Sequence, residues 1–242
     1  MSVLVVTGTC TGVGKTIATA AVAALAGARG TSVAVVKPGQ TGAEPGEPGD
    51  LDHICCLAGV GVAETHEFGR FPEPLSPAAA ARHRGLPPVS LADAADRIRE
   101  LAQAHRLVLV EGAGGLLVRY DEDGTTIADL ARWLGAAMLV VARPDLGTLN
   151  HTALTLEAMA NRGVQLGGVV IGEWPAEPDL AMRSNIRDLE TIAARPLAGV
   201  LPAGAGDLDP AEFLLVAREG LAPAFGGVFD ASTFREGFAL NT

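Results

Sequence analysis

Lysine is almost missing from this 242-residue chain: of its 18 basic residues 16 are Arg, and the two lysines are Lys15 and Lys37. Wherever a positive charge only solvates the surface the sequence uses Arg, so two retained ammonium groups point to a shared anion held by compact point charges. Cysteine is scarce as well. Cys10, Cys55 and Cys56 form neither a disulfide framework nor a spaced metal set, which fits a reducing cytosol. There is no long hydrophobic run: the longest apolar stretch, 17–28, has twelve residues, whereas a membrane helix needs about 20. No signal-peptide pattern is present. Positive charge is in deficit, 18 basic against 28 acidic residues for a net charge of -10, which argues against nucleic acid and anionic membrane as partners. No proline-, serine- or charge-rich linker divides the chain, so 1–242 reads as a single domain.

What is present is organised around residues 3–16, VLVVTGTCTGVGKT. Val3 to Val6 is a β-branched and leucine run suited to a strand buried on both faces. Gly8, Gly12 and Gly14 then let the backbone turn back, and Lys15 to Arg29 is an alanine-rich stretch of high helix propensity without proline. Strand, glycine loop and helix follow in the order that a phosphate-binding loop requires. The N–H groups around Gly12, Val13, Gly14 and Ile17 face an anion, Lys15 reaches its outer phosphates, and the Thr16 hydroxyl ligates magnesium. The first glycine is Gly8 and position 9 is Thr, a G-x5-G-K-T variant of the usual spacing. Cys10, inside the loop, reads as a small filler. The expected fold is therefore α/β, a three-layer P-loop NTPase with a mainly parallel central sheet flanked by helices.

VAVVK (33–37) repeats the buried-strand pattern and delivers Lys37 to the carboxyl edge, where open α/β sheets bind ligands. PGQTGAEPGEPGD (38–50), which contains Thr41, reads as a loop rather than a regular element. It leads into a short helix at DLDHICCLAG. Either Asp50 or Asp52 can be a magnesium ligand there, Asp50 can equally be only a cap, and spacing does not choose. LVLV (107–110) is a third buried strand and ends in Glu111-Gly112-Ala113-Gly114-Gly115, a carboxylate placed for a metal or a water beside glycines that admit phosphate. Pro74 to Pro77 is a rigid turn, and Ser90 caps an amphipathic helix that ends near His105. TTIADLARWLG is helical and AAMLVVA is a fourth strand. A further helix opens at Thr148 to Asn150, whose free N–H groups suit a substrate carboxylate. His151 there has a capping or packing duty. LGGVVIG (166–172) and PLAGVLP (196–202) complete the sheet, with Gly172, Pro202, Ala203 and Gly204 near a nucleotide base. Asp207 to Asp209 are turn and cap residues.

Four motifs together, V-T-G-T-x-T-x-V-G-K-T (6–16), V-K-P-x-x-T-G (36–42), V-E-G-A-G-G (110–115) and L-G-T-L-N-H-x-x-L-T (146–155), resemble the dethiobiotin synthetases over nearly the whole chain. The resemblance implies a cytoplasmic homodimeric ligase that closes a cyclic urea on 7,8-diaminononanoate with CO2 and ATP. It makes Lys37 and Lys15 catalytic and Thr16, Asp50 and Glu111 the magnesium ligands. Thr11, Thr41 and Gly115 fall near the diamine, and Leu146, Gly147, Thr148, Leu149 and Asn150 near its carboxylate, received from the neighbouring subunit. Where adenine-selective members carry Asn, this chain has Gly172, which implies relaxed base choice, with CTP or another triphosphate accepted beside ATP. The cobyrinic acid amidating enzymes share the first motif. A partition or switch ATPase is the reading from another class, but those proteins usually show K-G-G-x-G-K-T, and Cys10 and Thr11 depart from it.

Overall fold

The computed structural model of the chain describes residues 2–238. Its first half comprises β1 (Ser2–Gly8), α1 (Lys15–Ala28), β2 (Val33–Lys37), β3 (Gln40–Thr41), α2 (Asp50–Ala58), β4 (Val62–Glu67), β5 (Arg70–Phe71), α3 (Pro77–Arg84) and α4 (Leu91–Ala104). Its second half comprises β6 (Leu107–Gly115), α5 (Ile127–Leu134), β7 (Ala137–Ala142), α6 (Thr148–Asn161), β8 (Leu166–Trp174), α7 (Leu180–Ala193), β9 (Gly199–Pro202), α8 (Pro210–Gly220) and α9 (Ala231–Gly237).

Seven strands form one sheet in the order β4-β2-β6-β1-β7-β8-β9, and every pairing in it is parallel. β3 and β5 pair separately, also in parallel. Continuous apolar strands suit this arrangement because both faces are covered by helices. Successive side chains alternate between two cores: Val5, Ala34, Val108, Val110 and Met138 belong to one, and Val6, Val35, Leu109 and Leu139 to the other. The first core packs under α3 to α7 and the second under α1, α2 and α8. That is the three-layer architecture the sequence predicts.

α1 lies deep in the second core, and Ala18, Ala20, Ala21 and Ala23 are fully buried in it. Its small side chains permit close approach on all sides; a Cβ added at Gly27 would come 2.2 Å from the Gly61 Cα. Ser90 accepts from Asp93 N and caps α4 as predicted, and Asp209 caps α8 by accepting from Ala211 N and Glu212 N. No helix among the described residues is long and apolar enough to cross a membrane.

Two sequence expectations need correction. The segment 38–50 is not wholly a loop, because Gln40 and Thr41 pair with Arg70 and Phe71. Cys10 is not a filler, since it is exposed. The edge strand β4 (VAETHE) and helices α7 to α9 were not anticipated: β4 carries polar residues at four of its six positions, and Glu64 alone takes His66, Arg97 and His105. Charge on an edge strand discourages pairing with another chain, and it also hides the strand from a search for apolar runs.

Candidate active site

Strand register brings the site together. Val6 pairs with Glu111 across β1 and β6, and Val36 pairs with Val110 across β2 and β6. Val36 and Val110 enter the core under α3 to α7. One residue further along each strand, Lys37 and Glu111 therefore turn to the opposite face, where α1 begins with Lys15 and Thr16.

The loop between β1 and α1 folds back through Gly12 and Gly14, both at positive φ (68° and 88°), a conformation that glycine adopts without steric cost. Gly14 has a second constraint, because a Cβ there would lie 2.6 Å from the Gly172 carbonyl oxygen on β8. Lys15, 7 % exposed, donates to the Cys10 carbonyl at 3.2 Å. Burial and the neighbouring Lys37 charge hold its ammonium below the ordinary lysine value.

Lys37, 3 % exposed, is the centre of a charge cluster. Its Nζ lies 2.5 Å from Asp50 Oδ2 and 2.7 Å from Glu111 Oε1, and it donates to the Gly112 carbonyl at 3.3 Å. Burial pulls its pKa down, but Glu111 and Asp50 outweigh that and the net shift is upward, so Lys37 stays charged. Burial likewise pushes the Asp50 carboxyl up, and the Lys37 charge and hydrogen bond reverse this and hold it below the usual carboxylate range. Thr16 Oγ1 donates to Glu111 Oε1 at 3.0 Å.

The two aspartates point in different directions. Asp52 Oδ2 accepts from Gly49 N at 2.7 Å and closes the first turn of α2. Asp50, the first residue of that helix, aims its carboxylate at Lys37.

A cavity of about 740 Å³ opens over this cluster and is lined by Lys15, Thr16, Lys37, Asp50 and Glu111 together with Thr11, Gly12, Gly14, Ile17, Thr41, Ala113 and Gly114. Pro74 to Pro77 form its wall. Other sequence-predicted residues lie apart from it. Gly172 is buried behind the loop, where a Cβ would come 2.0 Å from Val13 O. Pro202, Ala203 and Gly204 are exposed at the end of β9, and Leu146, Gly147 and Asn150 are exposed at the start of α6, while Thr148 is buried and donates to the Arg143 carbonyl at 2.6 Å. His151 has neither a capping nor a packing duty: its side chain is exposed, and only its backbone carbonyl is engaged, accepting from Thr155 Oγ1 within α6.

The residues at the cluster suit magnesium. Glu111 Oε2 is buried with no hydrogen-bond partner among the described residues, and the surrounding donors are hard oxygens. Among the described residues no group of three or more His, Cys, Asp or Glu could hold a metal. Magnesium does not require one, since it commonly takes one or two carboxylates with waters and substrate phosphates.

A family model described as an AAA domain matches residues 2–209. The chain is 60% identical over 240 residues to the ATP-dependent dethiobiotin synthetase BioD of Parafrankia sp. (strain EAN1pec), covering 99% of this chain and 100% of that one. The chain belongs to the ATP-dependent dethiobiotin synthetase family. The family's BioD from Frankia casuarinae is 62% identical over 235 residues, covering 97% of this chain and 98% of its own. In fold, the MinD cell division protein of Aquifex aeolicus superposes with a TM-score of 0.57 at 14% identity, over 100% of this chain and 99% of that one. A likeness at that identity concerns the fold alone, and the synthetase reading, not the partition-ATPase one, is supported by the relatives.

Sequence reasoning missed several side chains that this family member brings to the site. Tyr120, fully buried, accepts from Ala113 N at 2.8 Å and so fixes the glycine-rich end of β6. Arg143 reaches from the end of β7 to the Thr11 carbonyl at 3.3 Å. His53 lines the cavity and contacts the Gly206 carbonyl at 3.0 Å. Gln40 lies behind Asp50. Among these, only Tyr120 carried a signal, as the sole tyrosine of the chain.

Proposed function

We propose that this chain carboxylates and cyclises 7,8-diaminononanoate with CO2 and ATP to give dethiobiotin, ADP and phosphate. The observation that carries the reading is one cavity floored by both lysines of the chain, Lys15 from the phosphate loop and Lys37 from the neighbouring strand edge. Its volume, about 740 Å³, is ample for a triphosphate and a small diamine.

One substrate amine adds to CO2, losing a proton to form a carbamate. A carbamate oxygen then takes the γ-phosphoryl group and releases ADP. The second amine attacks the carbonyl carbon, phosphate leaves, and loss of a proton from that nitrogen completes the cyclic urea. Every stage carries anionic oxygen, and Lys37, held charged by its carboxylate neighbours, stabilises it, while Lys15 and the loop N–H groups orient the triphosphate. Thr16, Asp50 and Glu111 would hold magnesium, which would supply charge neutralisation for the triphosphate. Thr11, Thr41 and Gly115 flank the diamine.

Three finer points belong to the same reading. Base choice is relaxed: Gly172 offers no side chain, so CTP or another triphosphate is accepted beside ATP. The enzyme is a homodimer in the cytoplasm, in which Leu146 to Asn150 of one subunit receive the substrate carboxylate of the other; the 86 % exposure of Leu146 supports this. Residues 1–242 form one domain.

The test is mass spectrometry of reactions containing the protein, 7,8-diaminononanoate, labelled bicarbonate, magnesium and each NTP in turn. One labelled carbonyl gained with two hydrogens lost, at one NDP per product, is the expected result. No labelled product with any NTP, while nucleotide still binds, refutes it. A ranking in which ATP far exceeds all other triphosphates refutes the Gly172 argument alone.

A further inference from the structure

Helix α2 begins without the side chain that usually caps a helix. Its N-cap is Gly49, so the free N–H groups of the first turn need partners from elsewhere. Asp52 serves the Gly49 N–H. The N–H of Asp50 is served by Gln40, whose Oε1 accepts it at 2.9 Å from ten residues earlier in the chain. Gln40 is 5 % exposed, and its Nε2 donates to the Thr41 carbonyl at 3.1 Å, which fixes the orientation of the amide.

Arg70 closes the arrangement from outside. It donates to Glu67 through Nε at 2.7 Å and Nη2 at 2.9 Å, and through Nη1 to the Glu47 carbonyl at 2.6 Å. The two meet at Gly49: a Cβ there would stand 2.8 Å from Arg70 Nη2 and 3.0 Å from Gln40 Oε1. A side chain here would press on Arg70 and Gln40, although the backbone, with φ of -116°, suits any residue.

We propose that Gln40 is a positioning residue for the reaction: by capping the Asp50 N–H from outside the helix, it sets the direction of the Asp50 carboxylate toward Lys37 and the site that would hold magnesium. This rests on the reading of Asp50 as a magnesium ligand. The Asp50 side-chain torsions are held by the ion pair with Lys37 at 2.5 Å, and Gln40 restrains the backbone from which they start. Without that acceptor the N–H loses its partner beside the cavity, an arrangement that the first turn relieves by moving.

The experiment compares Gln40→Met, similar in length but without an acceptor, with Gln40→Glu, which keeps an oxygen for the Asp50 N–H, and with Gly49→Ala, which displaces Gln40 from outside. Magnesium binding is titrated by calorimetry in the presence of a non-hydrolysable ATP analogue, alongside the magnesium concentration that half-saturates turnover. Gln40→Met is expected to weaken both about tenfold and Gly49→Ala about threefold, with KM for the diamine within twofold of the parent and Gln40→Glu restoring most of the loss. A protein that merely loses packing at Gln40 would melt lower without this selective change in metal affinity. Asp50→Asn separates the two levels. If Asp50→Asn weakens magnesium while Gln40→Met and Gly49→Ala leave it unchanged, the positioning role is overturned; if Asp50→Asn itself changes nothing, the reading of Asp50 as a ligand fails. Should Gln40→Met not fold, Gly49→Ala decides alone.

Discussion

Replacing Lys37 by Met removes the only full positive charge among the described residues within hydrogen-bond reach of Glu111 Oε1. The Lys37 ammonium touches Asp50 at 2.5 Å and Glu111 at 2.7 Å, and Glu111 is fully buried. Once it is gone, Glu111 Oε1 keeps only the Thr16 hydroxyl, and Oε2 already has no partner among the described residues. Removing one member of such a buried pair costs roughly 3–5 kcal/mol, because the other charge stays behind without compensation. For a protein of this size each kcal/mol lowers the melting temperature by about 2–4 °C, so the drop should be roughly 6–20 °C. Combining Lys37→Met with Glu111→Gln removes that uncompensated charge and should recover most of the loss. Turnover behaves differently. Lys37→Gln retains a donor and should fold and bind nucleotide close to the parent level, yet lose about two to three orders of magnitude in kcat, the usual effect of removing a group that stabilises transition-state charge. The assays are thermal unfolding, calorimetric nucleotide binding and steady-state phosphate release. An unchanged melting temperature for Lys37→Met refutes the ion-pair argument, and an unchanged rate for Lys37→Gln removes Lys37 from the mechanism.

Lys15, held below the ordinary lysine value by burial and by Lys37, should be the first of the two lysines to lose its proton, so nucleotide affinity should fall as pH rises through a window below about 10.4. An affinity flat across that window in calorimetry would contradict this. In the same window the unfolded chain binds more protons at this group than the folded one, so its contribution to stability increases with pH. Asp50 acts at the other end: its folded pKa lies below the unfolded one, so its stabilisation is present above the ordinary carboxylate range and disappears as pH falls through the folded value, readable in acid unfolding curves. Tyr120→Phe leaves the Ala113 N–H buried without its partner at 2.8 Å and should cost about 1–3 kcal/mol, measured by denaturant unfolding. Gly172→Ala brings a Cβ to 2.0 Å from the Val13 carbonyl, so the phosphate loop must shift, and nucleotide affinity should fall more than tenfold; parent-like binding would show that the loop yields freely.

The parts of the fold legible in the sequence were those in which one local pattern decides the structure. The buried strands β1, β2, β6, β7, β8 and β9 are apolar runs, α1 is an alanine helix, and α4 carries its cap and apolar stripe in consecutive residues. β3 and β5 were illegible because two-residue pairings leave no periodic trace, and β4 because its polar face dominates its composition. At the site, Lys15, Thr16, Lys37 and Glu111 could be read because each ends or follows a run of obvious type. Spacing alone could not separate Asp50 from Asp52, since the acceptor for the Asp50 N–H is Gln40, across a loop. Gly172 shows how one position can carry two reasons: the sequence marks it as a missing base contact, and the structure shows that the phosphate loop leaves no room there for a side chain.

Both side-chain amines of the chain lie in the reaction cavity, and both are nearly buried. No lysine side chain therefore meets an amine-reactive reagent outside the cavity, and guanidinium groups do not acylate under the mild conditions that modify lysine. Any label on a lysine side chain reports entry into the cavity. Its protection by nucleotide or diamine would measure occupancy of the site directly, without engineering a probe into the molecule.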